Sequence, residues 1–172
     1  MCMEEIAVLR PARAGDAPAL SQIYNHAVLH TTATAQEVPE TLAERLAWLD
    51  DHARGNYPVL VAEAGTVVAW GSLSPFLPRS GYRYTAENSV YVHPDWQVQG
   101  LGKRLLGALV EAAQDNGFHA LVALIDGGNQ ASLALHAAFG FTPVARMPQV
   151  YHKFGRWLDL VIMQRLLGDK EV

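Results

Sequence analysis

Three groups of residues in this chain could do chemistry. Glu87 interrupts the strand-forming run YTAENSVYV at 84–92. An acidic side chain disfavours such a run and is rarely buried without a purpose, the plain alternative being a glutamate that points to solvent. Partly buried, its carboxyl would titrate nearer neutrality and could take a proton from a neighbouring group. Downstream, QVQGLGKRLL at 97–106 puts Gly100 and Gly102 at the mouth of a leucine-patterned helix. Glycines there allow a sharp turn and close approach of a ligand to the backbone. The first helical amides, unpaired at the positive end of the helix dipole, then form a cradle for a phosphate or pyrophosphate.

Two named phosphate motifs do not fit this stretch. A Walker A loop requires Ser or Thr after its lysine, but Lys103 is followed by Arg104; a dinucleotide fingerprint requires a third glycine, but Leu105 stands there. A plain helix start at a glycine turn is the remaining alternative to an anion site. The third group is histidine. His136 shares a helical face with Leu133 and Gly140, the usual setting of a structural histidine. His26 and His30 are one helical turn apart, the spacing of a metal pair, but no third ligand or HExxH glutamate accompanies them. They read as pocket-side or surface residues, and no metal is expected. No Gly-x-Ser-x-Gly elbow supports serine hydrolase chemistry.

These residues need a scaffold, and the sequence punctuates one. Ile6–Leu9 is a short strand. A helix starts at Ala17–Pro18 with Asp16 as its cap and Leu20, Ile23, Tyr24, Ala27 and Val28 on one face. Thr41 and Glu44 have capping-box spacing ahead of Leu42, Leu46 and Leu49. A hairpin between Asn56 and Pro75 turns at Ala64–Gly65, and Thr85–His93 is a strand ended by Pro94. The helix from about Gly100 carries Leu101, Leu105, Leu109 and Ala112, with Asn116–Gly117 as its stop. Ala120–Ile125 is a buried strand, Asn129 caps a helix that ends at Gly140, and strands near 142–151 and 157–166 follow. Strand, helix, strand from residue 85 implies a parallel pair in a mixed sheet, hence an α/β fold with antiparallel hairpins at both ends.

The 172 residues suit one domain spanning 1–172, and 50% hydrophobic content suffices for its core. With 13 basic and 17 acidic residues the chain lacks the basic footprint of a nucleic-acid binder. Its single cysteine, Cys2, excludes an intramolecular disulfide and fits a reducing cytoplasm. The opening MCMEEIAVLR does not resemble a signal peptide, and no apolar run approaches the roughly 18 residues of a membrane span.

The segment VYVHPDWQVQGLGKRLLGALVEAA resembles the acetyl-CoA motif of the GCN5-related N-acetyltransferases (GNAT), with Gln97, Gly100 and Gly102 matching its Gln/Arg-x-x-Gly-x-Gly/Ala turn. IYNHAVLHTTAT, YTAENSVYV, NQASLALHAAFGF and the MPQV…KFGRWLDL…MQ blocks are similar to the phosphinothricin and methionine sulfoximine acetyltransferase branch. The resemblance implies a mixed sheet of about six to seven strands flanked by about four helices. It implies that acetyl-CoA is held by Val90, Tyr91 and Val92 at a splayed strand end, by Val98, Gln99, Gly100, Leu101, Gly102 and Lys103 at the helix mouth, and by Asn129. Glu87 would contact or deprotonate the substrate amine, and His136 would serve as acid to the sulfur or on the substrate side. For an amino-acid substrate, Arg79 or Arg83 could meet the carboxylate, with Phe76 and Tyr82 as pocket walls. Leu77 stands where the family pattern carries a polar residue, which bears on substrate range. Acetyl transfer to a small amine by direct attack is the expected function, and the family implies a homodimer, to which the apolar GRWLDL strand would contribute. Acetylation of a protein or peptide N-terminus and acyl-CoA sensing without turnover are the alternatives.

Overall fold

The computed structural model describes residues 7–168; Cys2 and the acidic start of the chain lie outside them. Seven strands form one mixed sheet in the order β1-β2-β3-β4-β5-β7-β6. They are β1 (Val8–Pro11), β2 (Val59–Ala64), β3 (Thr66–Pro75), β4 (Thr85–Val92), β5 (Ala120–Asp126), β6 (Thr142–Lys153) and β7 (Arg156–Leu166). Four α-helices cover it: α1 (Ala17–His30), α2 (Leu42–Gly55), α3 (Leu101–Asp115) and α4 (Gln130–Ala138). The α/β class, the β2–β3 hairpin and the parallel β4–β5 pair are as the sequence implied. Among the described residues no helix is long and apolar enough to cross a membrane.

The two faces of the sheet bury different clusters. On one, α3 lays Leu106, Leu109, Val110 and Ala113 against Leu73, Ala86, Leu121 and Ile125. Leu105, Leu106 and Leu109 are wholly buried, each contributing about 1.5–3 kcal/mol of transfer free energy. The helix packs directly on β3 because Gly71 has no side chain: a Cβ there would lie 2.9 Å from Leu109 Cδ1. On the other face, Leu20 and Ile23 of α1 meet Val59, Val61, Val67 and Trp70.

Two local expectations change. Asp16 does not cap α1 with its side chain; its carboxylate is taken by the Arg10 guanidinium at 2.7 and 2.8 Å and by the Arg13 amide at 2.8 Å. That pairing holds its pKa below the ordinary aspartate range, the Arg10 hydrogen bonds being the main cause. On α2 the Thr41–Glu44 capping box forms as expected, but Leu42 and Leu46 face solvent while Arg45 and His52 are buried. A charged residue wins the inward position because its partners are already there: Glu40 pairs with the guanidinium, and His52 bridges α2 to β3 through Trp48 O at 2.8 Å and Ser74 Oγ at 2.9 Å. Of the C-terminal GRWLDL segment, Gly155 is in the β6–β7 turn and 156–160 lie in β7, which is interior to the sheet; β6 forms the edge.

Candidate active site

The site is organised by β4. Its pairing with β5 covers only Thr85, Ala86 and Glu87, whereas β5 pairs with β7 along all of Ala120–Asp126. From Asn88 onward β4 and β5 part. The His93 amide donates to Val68 O at 2.8 Å on the β3 side. By the alternation of an extended strand, the backbone groups of Val90 and Val92 then turn the other way, into the gap. An extended ligand arm could pair there as a surrogate strand.

The mouth of α3 opens beside this gap. Gly100 caps the helix in the left-handed region (φ 77°), with open space where a Cβ would stand. Val98, β-branched and fully exposed, also adopts a positive φ of 65°, a strained conformation of the kind that persists where a loop must present its backbone. The first intrahelical bond runs from Arg104 N to Gly100 O at 3.1 Å, which leaves the amides of Leu101, Gly102 and Lys103 without intrahelical acceptors. Gly102 lies where α3, α4 and β4 meet, near Leu135 and Val90. Lys103 is exposed, and Arg104 is committed to Ala7 O at 2.7 Å. A diphosphate on a slender arm fits this arrangement: amides for the anion, parted strands for the arm.

Glu87 projects on the other side of the sheet. It lines a cavity of about 360 Å³ between α1, α2 and the β3–β4 pair, together with Tyr24, Thr34, Arg45, Trp48, Trp70 and Tyr91. Among the described residues no hydrogen bond reaches its carboxyl, and burial pushes its pKa above the ordinary glutamate value. Tyr91 stacks on Trp70 at 4.8 Å and meets the edge of Tyr24 at 5.3 Å. Burial, with Tyr24 and Glu87 nearby, keeps the Tyr91 hydroxyl protonated at any ordinary pH.

His136 stands on the opposite face, next to Asn88 rather than Glu87. Its Nδ1 lies 2.8 Å from Ser132 O, an acceptor only, so Nδ1 carries the proton; Nε2 therefore accepts from Asn88 Nδ2 at 2.8 Å. Burial lowers its pKa, which favours this neutral tautomer. The assignment leaves Asn88 Oδ1 buried without a donor, at the first residue beyond the last β4–β5 pair. Asn129 caps α4 by accepting from Ser132 N at 3.1 Å.

The residues read from sequence divide accordingly. Glu87 reaches the cavity; Val90, Val92, Gly100, Leu101, Gly102 and Lys103 gather at the parted strands and helix mouth. The Tyr91 side chain points into the cavity, not the gap. Phe76, Arg79, Tyr82 and Arg83 lie on the loop between β3 and β4 and do not line the cavity. There Phe76 and Tyr82 meet edge-on at 5.8 Å, and Arg83 sits over Tyr84 at 4.5 Å. Sequence reading missed Arg45. It is 2% exposed, pairs with Glu40 through two nitrogens, and has its guanidinium carbon 4.5–5.0 Å from the rings of Trp48, Trp70 and Tyr24. The available signal was its spacing, since Arg45, Trp48, Leu49 and His52 share one helical stripe. The His26 and His30 rings lie 4.7 Å apart on α1, tilted at 44°, and among the described residues no group of three or more His, Cys, Asp or Glu is placed to hold a metal ion.

Comparison with known proteins agrees with this geometry. The profile of the Acetyltransferase (GNAT) family matches residues 20–141. The chain is 49% identical over 160 residues to the L-methionine sulfoximine/L-methionine sulfone acetyltransferase of Pseudomonas aeruginosa, covering 92% of this chain and 93% of that protein. It is 47% identical over 163 residues to the L-amino acid N-acyltransferase MnaT of Escherichia coli, covering 94% and 95%. Phosphinothricin N-acetyltransferases match at lower identity. The structure of yncA from Salmonella typhimurium, solved with its cofactor acetyl-CoA, superposes with a TM-score of 0.94 at 44% identity over 96% of each chain. The chain therefore belongs to the GNAT acetyltransferase family, and acetyl-CoA is its co-substrate.

Proposed function

We propose that this protein acetylates the primary amine of a small amino acid, with methionine sulfoximine and methionine sulfone as favoured acceptors and phosphinothricin as a related one. The observation that carries this is the placement of Glu87. It is the last β4 residue paired to β5, so its side chain enters the cavity where the strands begin to part. An acetyl group carried into the gap and an amine seated in the cavity would meet there. Close relatives act on such acceptors, which supports the class.

The chemistry needs a base because an ammonium has no lone pair. Glu87, ionised, takes one proton from R–NH₃⁺, and the amine nitrogen attacks the thioester carbonyl. The C–S bond then breaks, the second nitrogen proton passes to the departing sulfur, and the products are the amide, free coenzyme A and a proton on Glu87. Val90, Val92 and the 100–103 amides hold the co-substrate, with Asn129 at the entrance to α4 beside it. Arg45 lines the cavity but is paired with Glu40, and Arg79 and Arg83, on the loop that follows Pro75, would meet the acceptor's carboxylate only if that loop folds over the cavity. His136, held neutral on the far face, braces Asn88 at the parting and does not deliver the sulfur's proton. The residues work as one domain spanning the chain.

The same reading places the enzyme in the cytoplasm, where acetyl-CoA is available. We infer a homodimer formed along β6, whose Val144, Met147 and Val150 are exposed on a long free edge, a feature proteins normally cover. Light scattering on the purified chain tests the dimer. Thiol release from acetyl-CoA against a panel of amino acids and short peptides tests the activity: turnover confined to peptides would redirect the proposal to N-terminal acetylation, and none with any amine would leave a sensor.

A further inference from the structure

The segment between α1 and α2 walls the cavity with Thr34; Asn25 of α1 holds its Glu40 end, and the anchor at Thr34 comes from the far end of the chain. Lys153, the last residue of β6, is 1% exposed, and its Nζ donates to Thr34 O at 2.7 Å. The neighbouring contacts run the same way: Tyr151 Oη donates to Thr32 O at 3.4 Å, and Thr32 Oγ1 donates to Asp126 Oδ2 at 2.6 Å. Thr34 is in turn a junction. Its hydroxyl lies 3.3 Å from Tyr24 Oη and accepts from the Gln36 amide at 3.3 Å. Tyr24 packs edge-on against Tyr91, which shares the cavity with Glu87. Moving the Thr34 carbonyl therefore moves the hydroxyl and ring that face the acceptor amine.

A second observation concerns how Lys153 is aimed. The β6–β7 hairpin closes with Lys153 opposite Arg156 across a two-residue turn, Phe154 and Gly155, both at positive φ (51° and 72°). Asn-Gly is the usual occupant of such a turn, and a bulky aromatic at its first position is strained. Here the aromatic has a use: the Phe154 ring lies 5.1 Å from the Lys153 ammonium, a distance at which a ring face attracts a cation. Burial lowers the pKa of Lys153, and a buried ammonium is costly unless something holds it. The ring, the Thr34 carbonyl and the nearby Glu37 carboxylate do so.

We propose that Lys153 is a positioning residue for the acceptor pocket: seated on the Phe154 ring, its ammonium fixes the Thr34 wall and so sets the affinity for the amine. This rests on the assignment of the Glu87 cavity to the acceptor. Three variants of the full-length protein, Lys153→Met, Lys153→Arg and Phe154→Asn, are compared for amine KM, kcat and calorimetric affinity for coenzyme A. Loss of one charge-assisted hydrogen bond at the wall corresponds to a rise of roughly 10- to 100-fold in amine KM for Lys153→Met. Coenzyme A affinity should not change, kcat should change by less than about threefold, and Lys153→Arg should restore part of the loss. Phe154→Asn separates positioning from stability: it relieves the turn and raises the melting temperature, yet should still raise amine KM. Unchanged amine KM in Lys153→Met and Phe154→Asn, or equal losses of amine and coenzyme A affinity, would overturn the proposal. If Glu87→Gln instead turns over like the wild type, the assignment of the cavity itself fails, whatever Lys153 does.

Discussion

Glu87 and Asn88 are neighbours on β4 and point to opposite faces of the sheet, and their surroundings could hardly differ more. Glu87 faces a cavity, takes no hydrogen bond from the described residues and has its pKa raised by burial. Asn88 faces α4, is 4% exposed and donates to His136. The extended backbone makes this possible, because successive side chains alternate between faces. One strand thus keeps a reactive carboxyl poorly solvated on one side and a buried Asn–His pair on the other. A raised carboxyl pKa costs stability at neutral pH, and the tightly packed α3 face, with its buried leucines, offsets that cost.

Glu87→Gln bears on this contrast most heavily. It should lower kcat/KM by about 10²–10⁴-fold, the usual contribution of a positioned base, while calorimetry finds coenzyme A binding unchanged. Next is Arg45→Met, which leaves the Glu40 carboxylate without its guanidinium and takes the cation away from three aromatic rings. A loss of about 3 kcal/mol is expected for breaking a buried pair, a fall in Tm of roughly 6–12 °C for a chain of this size. The double variant Glu40→Gln/Arg45→Met should recover part of it, as measured by thermal unfolding.

His136→Phe would sharpen the comparison or break it. With the ring only bracing Asn88, the change should cost about 1–3 kcal/mol of stability and lower turnover less than tenfold. A loss matching that of Glu87→Gln would show that chemistry runs on both faces of β4. The smallest effect is on pH dependence. The wild-type rate should rise with pH as Glu87 ionises, with a midpoint above that of an ordinary glutamate, and this limb should vanish in Glu87→Gln. For stability the sign is opposite. A carboxyl whose pKa is higher in the folded state favours folding below its unfolded pKa, and that advantage is lost as pH rises through the folded value. Glu87→Gln should therefore melt slightly higher than wild type at pH 7, and the gap should close below about pH 3, where the glutamate is protonated in both states.

What could be read without coordinates was local. The capping box of Thr41 and Glu44, the Asn129 cap, the Gly65 turn and the leucine stripe of α3 depend on residues close in sequence, and each forms where its pattern stands. Arg45 was hidden for the opposite reason. Nothing near it in sequence announces that Tyr24 and Trp70, from α1 and β3, will close over its guanidinium. The loop of Phe76, Arg79, Tyr82 and Arg83 has the composition of a pocket, but its chain path keeps it out of the cavity wall.

By itself the sequence determined the α/β class, the helix mouth at Gly100 and the isolation of Glu87 in a strand, since periodicity, caps and glycine placement act over a few residues. Tertiary structure alone decided that β4 parts from β5 directly after Glu87, that His136 turns to Asn88, and that Lys153 reaches Thr34 across 119 positions of chain. Those outcomes depend on which distant surfaces pack together and how much water they exclude, and no short-range pattern encodes either.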